Sequence, residues 1–566
     1  MSLSGTLQVG RTALAVTQAA IQTHGNNIAG ASDPNYSRQV ISASSTPGKA
    51  RGDGIILGTG VQLDAVERQV DDALLRRLNA ASSDAAAANE VVNWLSQAEA
   101  TFNELSDADL STGLTRFFNT WGELANNPAD AALRRNVLNE GATLAKGFND
   151  LHARLSRLSS DAGERIGGYA TEADRIAREI AGLNVQIAQG EGATGGMANA
   201  LRDRRDALVG ELSQYVGVHA IEQGDGTLNL YAGSEPLVMA GTSRGLELEQ
   251  RVDAEGRPTF QAIFSDGGGP IPARSGKLSG ALASRSTIND TLDRIDALAQ
   301  NLKFELNGLH AQGQGTAGYD SVTSEVVVAD AAVPLDDDAT MIDPAPRNGS
   351  FVVHLRDKAS GSVKSTVVEV HLDGTAAGTS LDDLASDLTA IPGVTASVSA
   401  GKLTIKADSA AQELAFGEDS ANVLPALGIA GFFSGKGAAD LSVDAKLLAD
   451  PRRLATSVDN TPGGNGLALK VAALGETGLP GLAGATINQA YEATVFEVAA
   501  GVRSAQTDAE ASGAIGETLE LQRQSLSGVS LDEEAVQLLR YQRSYQGAAR
   551  LVAAVDEMMQ TLLQLV

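Results

Sequence analysis

Residues 530–566 read SLDEEAVQLLRYQRSYQGAARLVAAVDEMMQTLLQLV, and their apolar periodicity decides how this chain is built. One row takes every seventh residue: Leu531, Leu538, Tyr545, Val552, Met559 and Val566. A second row, three residues on, takes Glu534, Tyr541, Ala548, Val555 and Leu562. Apart from Glu534, every position in both rows is apolar or tyrosine, the a/d pattern of a coiled-coil seam. Such a seam is narrower than the face a helix usually turns to a globular core. Ser530, with Glu533 three residues on, is a capping-box signal that starts the helix. After Glu557 there is no further charge, although chain ends normally fray into water. From Leu531 to Val566 the helix would run about 50 Å. Alone in water it would be marginal, so the stripe calls for a partner.

The other end of the chain supplies one. Leu7, Leu14, Ile21 and Ile28 repeat every seven residues, with Ala13, Val16 and Ala20 widening the stripe. The spacing predicts a helix from about Ser4 to Ile28. Gly30 and then Asp33-Pro34-Asn35 stop it, because Pro lacks the donor and Gly and Asn tolerate turns. Burying the six side chains of the first row, Leu531 to Val566, at roughly 1.5–3 kcal/mol each gives on the order of 10–15 kcal/mol as an upper bound, before ordering costs. Gly10, Ala13, Ala20, Ala548 and Ala549 allow close approach along the seam. The apolar positions of the two ends, Leu7, Leu14, Ile21, Ile28, Leu531, Leu538, Tyr545, Val552, Met559, Leu562 and Val566, form the candidate assembly interface, with neighbouring copies covering what remains exposed. The segment between, HGNNIAGASDPNYSRQ (24–39), reads as a helix stop and turn. Asn26, Asn27, Pro34, Tyr36 and Arg38 have conformational and packing roles there, Tyr36 and Arg38 also as candidate intersubunit contacts.

With 566 residues the chain exceeds the size at which one core stops growing, about 250–300 residues, so three or more domains are expected. Aromatics are only 4% while Ala, Leu and Gly abound, which favours helix-on-helix cores with close backbones. Acidic residues number 70 against 43 basic, a net charge of −27 that repels nucleic acid and anionic lipid. Neither nucleic acid nor membrane is therefore expected as a partner. Cysteine is absent, which excludes disulfides, thiolate metal sites and cysteine nucleophiles. MSLSGTLQVGRTALAV has neither a basic n-region nor an unbroken apolar core, so a removable secretory signal is not expected. No run of about 18 apolar residues occurs. If the protein leaves the cell, it does so by a route that reads no such signal.

The fold class expected is mainly α with β inserts. The terminal helices pair as a coiled-coil terminal domain, 1–65 with 527–566, which the family resemblance described below implies is the inner one. Ala/Leu/Arg/Asp-rich helical stretches assemble a discontinuous bundle, 66–314 with 440–526, including β-hairpins at about 217–278. Helix breaks are expected near Asn126-Asn127-Pro128 and Gly190–Gly196. An outer α+β insert occupies 315–439, with strands in SEVVVAD, SFVVHLRD, STVVEVHLD, VTASVSA and KLTIKAD and one short helix in LDDLASDLTAI.

Signatures of chemistry are missing. The six histidines (24, 152, 219, 310, 354, 371) have no metal-ligand spacing, and HExxH, GxSxG and Walker A patterns do not occur. Gly52, Gly54, Gly58 and Gly60 miss the dinucleotide spacing, and Asp336-Asp337-Asp338 lacks a calcium loop's closing Glu and reads as a solvated turn. No catalytic, cofactor-binding or metal-binding residue is assigned, and a non-enzymatic structural role is expected. The competing readings are a secreted enzyme with its chemistry in the insert, and an adhesin-like binding module.

HGNNIAGASDPNYSRQ resembles the ANNIANxNTPGYSRQ segment near the start of flagellar rod, hook and hook-associated proteins. GDGIILGTGVQLDAVERQVDDALLRRL (52–78), ELNGLHAQGQG (305–315), ALGIAGFFSG (426–435), SVDAKLLADPRRLATS (442–457) and the ending GVSLDEEAVQLLRYQRSYQGAARLVAAVDEMMQTLLQL (528–565) resemble blocks of the hook-associated protein 1 family. Gly25 stands where Ala is usual, and Ser32-Asp33-Pro34-Asn35 replaces Asn-Thr-Pro-Gly. The resemblance implies a structural axial subunit of the bacterial flagellum at the hook–filament junction, exported by the flagellar type III apparatus and so extracellular. It further implies a homo-oligomer bordered by hook protein and hook-associated protein 3, with an export chaperone holding the C-terminus. A hook or rod subunit, or hook-associated protein 3, is the alternative within the same family.

Overall fold

A computed structural model describes residues 3–50, 56–102, 109–194, 196–252, 256–375, 377–458 and 463–564. The helices follow as α1 (Leu3–Gly30), α2 (Asp72–Phe102), α3 (Leu110–Asn126), α4 (Ala131–Thr194), α5 (Asn199–Tyr215), α6 (Gly276–Ala311), α7 (Leu381–Thr389), α8 (Val423–Leu427), α9 (Ala445–Ala449), α10 (Gly466–Leu474), α11 (Ile487–Ser527) and α12 (Leu531–Gln564). Between them lie small antiparallel sheets of two to four strands. The chain is mainly α with β inserts, as its composition and periodicities indicate. It divides into two compact units, one of Met1–Trp94, Asp161–Arg285 and Val502–Val566, the other of Leu95–Ser160 and Ser286–Gly501.

In the first unit α1 and α12 pack side by side. The helix expected over Ser4–Ile28 is α1, and α12 begins at Leu531 as expected. Ser530 Oγ accepts from the Glu533 N–H at 3.5 Å, the hydroxyl half of the expected box. After α1 the chain forms an antiparallel pair, Gln39–Ser45 with Val61–Arg68, whose register shifts at Ser42/Ala43. The 217–278 region carries a four-stranded sheet, Val218–Glu222, Leu228–Ala232, Glu235–Met239 and Thr242–Ser243, and the pair Leu246–Val252 with Pro258–Phe264. Ile176, Ile180, Leu212, Leu230, Val238 and Phe264 share the core that joins these strands to α4 and α5.

In the second unit an aromatic cluster of Phe117, Trp121, Phe432 and Phe433 packs edge-on and tilted, with ring centroids 4.8–6.4 Å apart. α3 ends at Asn126, one of the expected breaks; α4 ends at Thr194, within the other, in the first unit. The segments SFVVHLRD, STVVEVHLD, VTASVSA and KLTIKAD carry strands Gly349–Asp357, Val363–Val370, Val394–Ser399 and Lys402–Ala407. LDDLASDLTAI is α7, opened by a capping box between Ser380 and Asp383. SEVVVAD (324–330) departs from expectation and forms no strand. Its amides bond instead to scattered carbonyls: Ser324 to Leu403, Glu325 and Val326 to Leu427, and Val328 to Gly401. Every one of these donors is satisfied, so apolar composition alone could not distinguish this irregular path from a ladder. Asp336-Asp337-Asp338 is a turn in which Asp337 caps a short 3-10 helix.

His310, near the end of α6, is 1% exposed. Its Nδ1 lies 2.8 Å from the Ala430 carbonyl and its Nε2 accepts from the Ala455 N–H at 3.1 Å. The proton therefore sits on Nδ1 and the ring is neutral. Burial pushes its pKa down to about 4, against the Ala430 carbonyl, which favours the charged form. A depressed folded value means that the stabilisation is present above the unfolded pKa of about 6.5 and is lost as pH falls toward 4. Between pH 7 and pH 4 His310 is expected to cost this unit about 3 kcal/mol. Chemical denaturation of the wild type and His310→Gln across this range checks it: the variant's slope is shallower, and equal slopes would contradict the assignment.

Candidate functional site

The site is the seam between α1 and α12 and the turn that closes it. At its far end Gly10 lies against Val552, where a Cβ on residue 10 would come within 2.7 Å of the Val552 methyl. Gly10, Thr17, Ala20, Thr23 and Asn27 are the buried residues of α1; Thr17 and Thr23 turn their hydroxyls back onto carbonyls of their own helix. On α12 the second sequence row faces inward: Glu534 and Val555 are fully buried, and Tyr541 stacks on His24 with ring centroids 5.3 Å apart. In the first row Leu538 and Val552 are half-buried, while Leu531, Tyr545 and Met559 are exposed, as is Leu562. Leu7, Leu14, Ile21 and Ile28 are half-buried on the flank of α1. Val566 lies outside the described residues.

Glu534 is the centre of a polar clasp. Its Oε2 accepts from Asn27 Nδ2 at 2.9 Å and faces His24 Nδ1 at 2.5 Å, and its Oε1 accepts from Arg38 Nε at 2.8 Å. Asn27 is fully used: its Nδ2 also donates to the Gln39 carbonyl, and its Oδ1 accepts from the Gln39 N–H and from Tyr36 Oη. A side-chain amide thus holds the first strand residue as a backbone neighbour would. Tyr36 lies over Gly30, where a Cβ would meet its ring at 2.5 Å, so residue 30 has no room for a side chain. The Arg38 N–H donates to the Ser527 carbonyl, tying the turn to the end of α11. Burial alone would push the Glu534 carboxyl up, but the hydrogen bonds from His24 and Asn27 and the charges of His24 and Arg38 hold it below the usual range. Burial and the nearby Asp203 and Glu534 carboxylates push the Tyr36 hydroxyl up to about 12, so it remains a donor to Asn27.

The structure therefore brings Asn27, Tyr36 and Arg38 together. Asn26 and Pro34 are exposed at the rim, and the Pro34 carbonyl accepts from Arg523. Sequence reasoning missed His24 and Glu534 as members of this cluster. Glu534 was visible as the lone acid in an otherwise apolar heptad, and a charge at such a position calls for a buried partner. Among the described residues no group of three or more His, Asp or Glu could hold a metal ion, and no helix is long and apolar enough to cross a membrane. The arrangement can fix the register of two helices and the angle at which the chain leaves them.

Residues 95–322 match the family described as flagellar hook-associated protein FlgK helical domain, and residues 522–565 match flagellar basal body rod FlgEFG protein C-terminal. The chain is 27% identical over 576 residues to flagellar hook-associated protein 1 of Salmonella typhimurium (strain LT2), covering 98% of each. It is 25% identical over 590 residues to flagellar hook-associated protein 1 of Escherichia coli (strain K12), again 98% of each. To the Bacillus subtilis (strain 168) protein of that name it is 24% identical over 572 residues, 98% of this chain and 96% of that one. The solved structure of the flagellar hook junction protein FlgK from Burkholderia pseudomallei aligns with a TM-score of 0.49 at 18% identity, covering 80% of this chain and 100% of that one. The chain is thus similar nearly end to end to proteins described as flagellar hook-associated protein 1, and it carries matches to the FlgK helical domain and to the FlgEFG C-terminal segment.

Proposed function

We propose that this chain is the axial subunit that joins hook to filament, built into the flagellum through its terminal helices. The observation that carries the reading is the surface of α12. Leu531 (55%), Val536 (64%), Leu539 (56%), Leu562 (51%) and Leu563 (77%) stand exposed on one helix that also buries a seam against α1. Apolar side chains left exposed along a helix that already has one partner call for further cover, and copies of the same chain in a helical polymer supply it. The wider apolar row, Leu7 to Ile28 and Leu531 to Leu562, is the assembly interface in this reading. Asn26, Asn27, Pro34, Tyr36 and Arg38 shape the turn beside it.

The same reading divides the chain into an inner part (1–65 with 527–566), a middle part (66–314 with 440–526) and an outer insert (315–439). Its neighbours are hook protein and hook-associated protein 3, its export route is the flagellar type III apparatus with a chaperone at the C-terminus, and its final place is outside the cell. No catalytic step belongs to it. The test is a chain carrying Leu538→Asp, Val552→Asp and Met559→Asp. Cells relying on it are expected to make complete hooks without filaments and to be non-motile, scored by electron microscopy and swimming. Normal swimming filaments built from that chain would sink the proposal.

A further inference from the structure

The face of α12 turned away from α1 has a pattern of its own. Val536, Leu539 and Met558 are exposed there. Among them lie Arg540, Arg543 and Arg550, the only charged residues between Ala535 and Val555 in a chain of net charge −27. An apolar, basic helix face is thus presented by an acidic protein.

The same unit contains a groove walled by α2, α5 and α11. Leu75, Leu78 and Ala207 line its apolar part, and Asp203, Asp206, Glu211 and Glu520 bring carboxylates to it beside Arg523. Counting Arg68, which binds Asp203 and Asp206, four carboxylates face two guanidiniums. Gly513 and Gly516 of α11 also line the groove, and a Cβ on either would meet nothing within 4 Å. Gly547, on the basic face of α12, is equally open. Glycine in a helix interior weakens the helix, and the free chain makes no use of the space these three leave. The dimensions agree: Ser512–Ser527 of α11 runs about 22 Å, and so does Leu539–Ala554 of α12, which holds all three arginines.

We propose that the outer face of α12 from one copy docks into the α2–α5–α11 groove of a second copy, with its arginines at the acidic rim and Gly547 against Gly513 and Gly516. This rests on the reading of the chain as a polymer subunit and names the surface that receives its C-terminal helix. It is a helix-in-groove contact in which apolar anchors give affinity and charge fixes the partner and register. The absence of native cysteine makes the contact testable by cross-linking.

A full-length Gly516→Cys/Gly547→Cys chain, oxidised in isolated flagella, is expected to yield cross-linked multimers, and each single-cysteine chain none. Flagella that incorporate the double-cysteine chain yet give no multimers would overturn the docking while leaving the axial role intact. Flagella that never contain the chain would refute the axial role instead. Cross-linking within a dilute monomer would place the contact inside one copy and equally overturn the proposal. Independently, Arg540→Glu/Arg543→Glu/Arg550→Glu is expected to reduce filament-bearing cells about tenfold, and Glu211→Arg/Glu520→Arg to restore them. Filament numbers unchanged by the first set, or not restored by the second, would count against the groove.

Discussion

Glu534→Ala is expected to weaken the pairing of α1 with α12 by about 3–5 kcal/mol, the range for removing one partner of a buried ionic cluster. Glu534 is fully buried, and its two oxygens serve Asn27, His24 and Arg38 at once. Truncation leaves Asn27 with one donor unpaired in a dry site and frees Arg38 to swing toward Glu533, 3.3 Å away in the intact clasp. Glu534→Gln keeps the shape and an acceptor but loses the charge, and is expected to cost about half as much. Hydrogen exchange of the α1 amides between Thr17 and Asn27 reads the effect locally, which a global melt of a chain with two units would not. Protection unchanged in Glu534→Ala would show that the apolar seam alone holds the ends together. Acid gives a second reading. A carboxyl held below its ordinary value contributes stability that is present above the unfolded pKa of about 4.3 and is lost as pH falls through the lower folded value. The alanine variant lacks that acid dependence.

What could be read from the sequence follows the ranges of the interactions involved. α1, α7 and α12 are set by local periodicity and local stops, so their extents were legible. So were the strands whose residues alternate between a core and solvent, such as Gly349–Asp357 and Lys402–Ala407. SEVVVAD has strand composition but takes its hydrogen bonds from Leu403, Leu427 and Gly401, partners about 75 to 100 residues away that no local pattern announces. At the site, the turn residues Asn27, Tyr36 and Arg38 were legible as a motif. Their common acceptor, Glu534, lies 507 residues from Asn27. The heptad row flagged it only as an exception to a greasy pattern. Which row turns inward was not legible either. Apart from Glu534 both rows are apolar or tyrosine, and the clasp, which holds Glu534 against Asn27, turns the second row toward α1.

Arg134→Ala is expected to destabilise the second unit by about 3–5 kcal/mol, at the upper end for a single substitution. Arg134 stands in the first turn of α4 and is 2% exposed. No carboxylate is among the groups it bonds. Its Nε donates to the Pro128 carbonyl at 2.8 Å, Nη1 to the Leu454 carbonyl at 2.5 Å, and Nη2 to Thr456 Oγ1 at 3.2 Å. Burial pushes its pKa down, yet a guanidinium stays charged, so the cation is held by carbonyl dipoles and the Thr456 hydroxyl. That arrangement joins the turn at Asn126-Asn127-Pro128 to the loop 451–456, and the same loop donates Ala455 N–H to His310. Removing the fork leaves those carbonyls buried without donors and opens a cavity beside them. Arg134→Lys keeps the charge but cannot span three acceptors in a plane, and is expected to fall between wild type and alanine. The chain has two tryptophans, so a Trp94→Phe background leaves Trp121, in the same unit as Arg134, as the fluorescent reporter. Urea unfolding in that background is expected to move to a clearly lower midpoint for Arg134→Ala, with Arg134→Lys in between. Coincident curves for all three would mean that the carbonyls find other donors and that the buried cation is not what holds the loop.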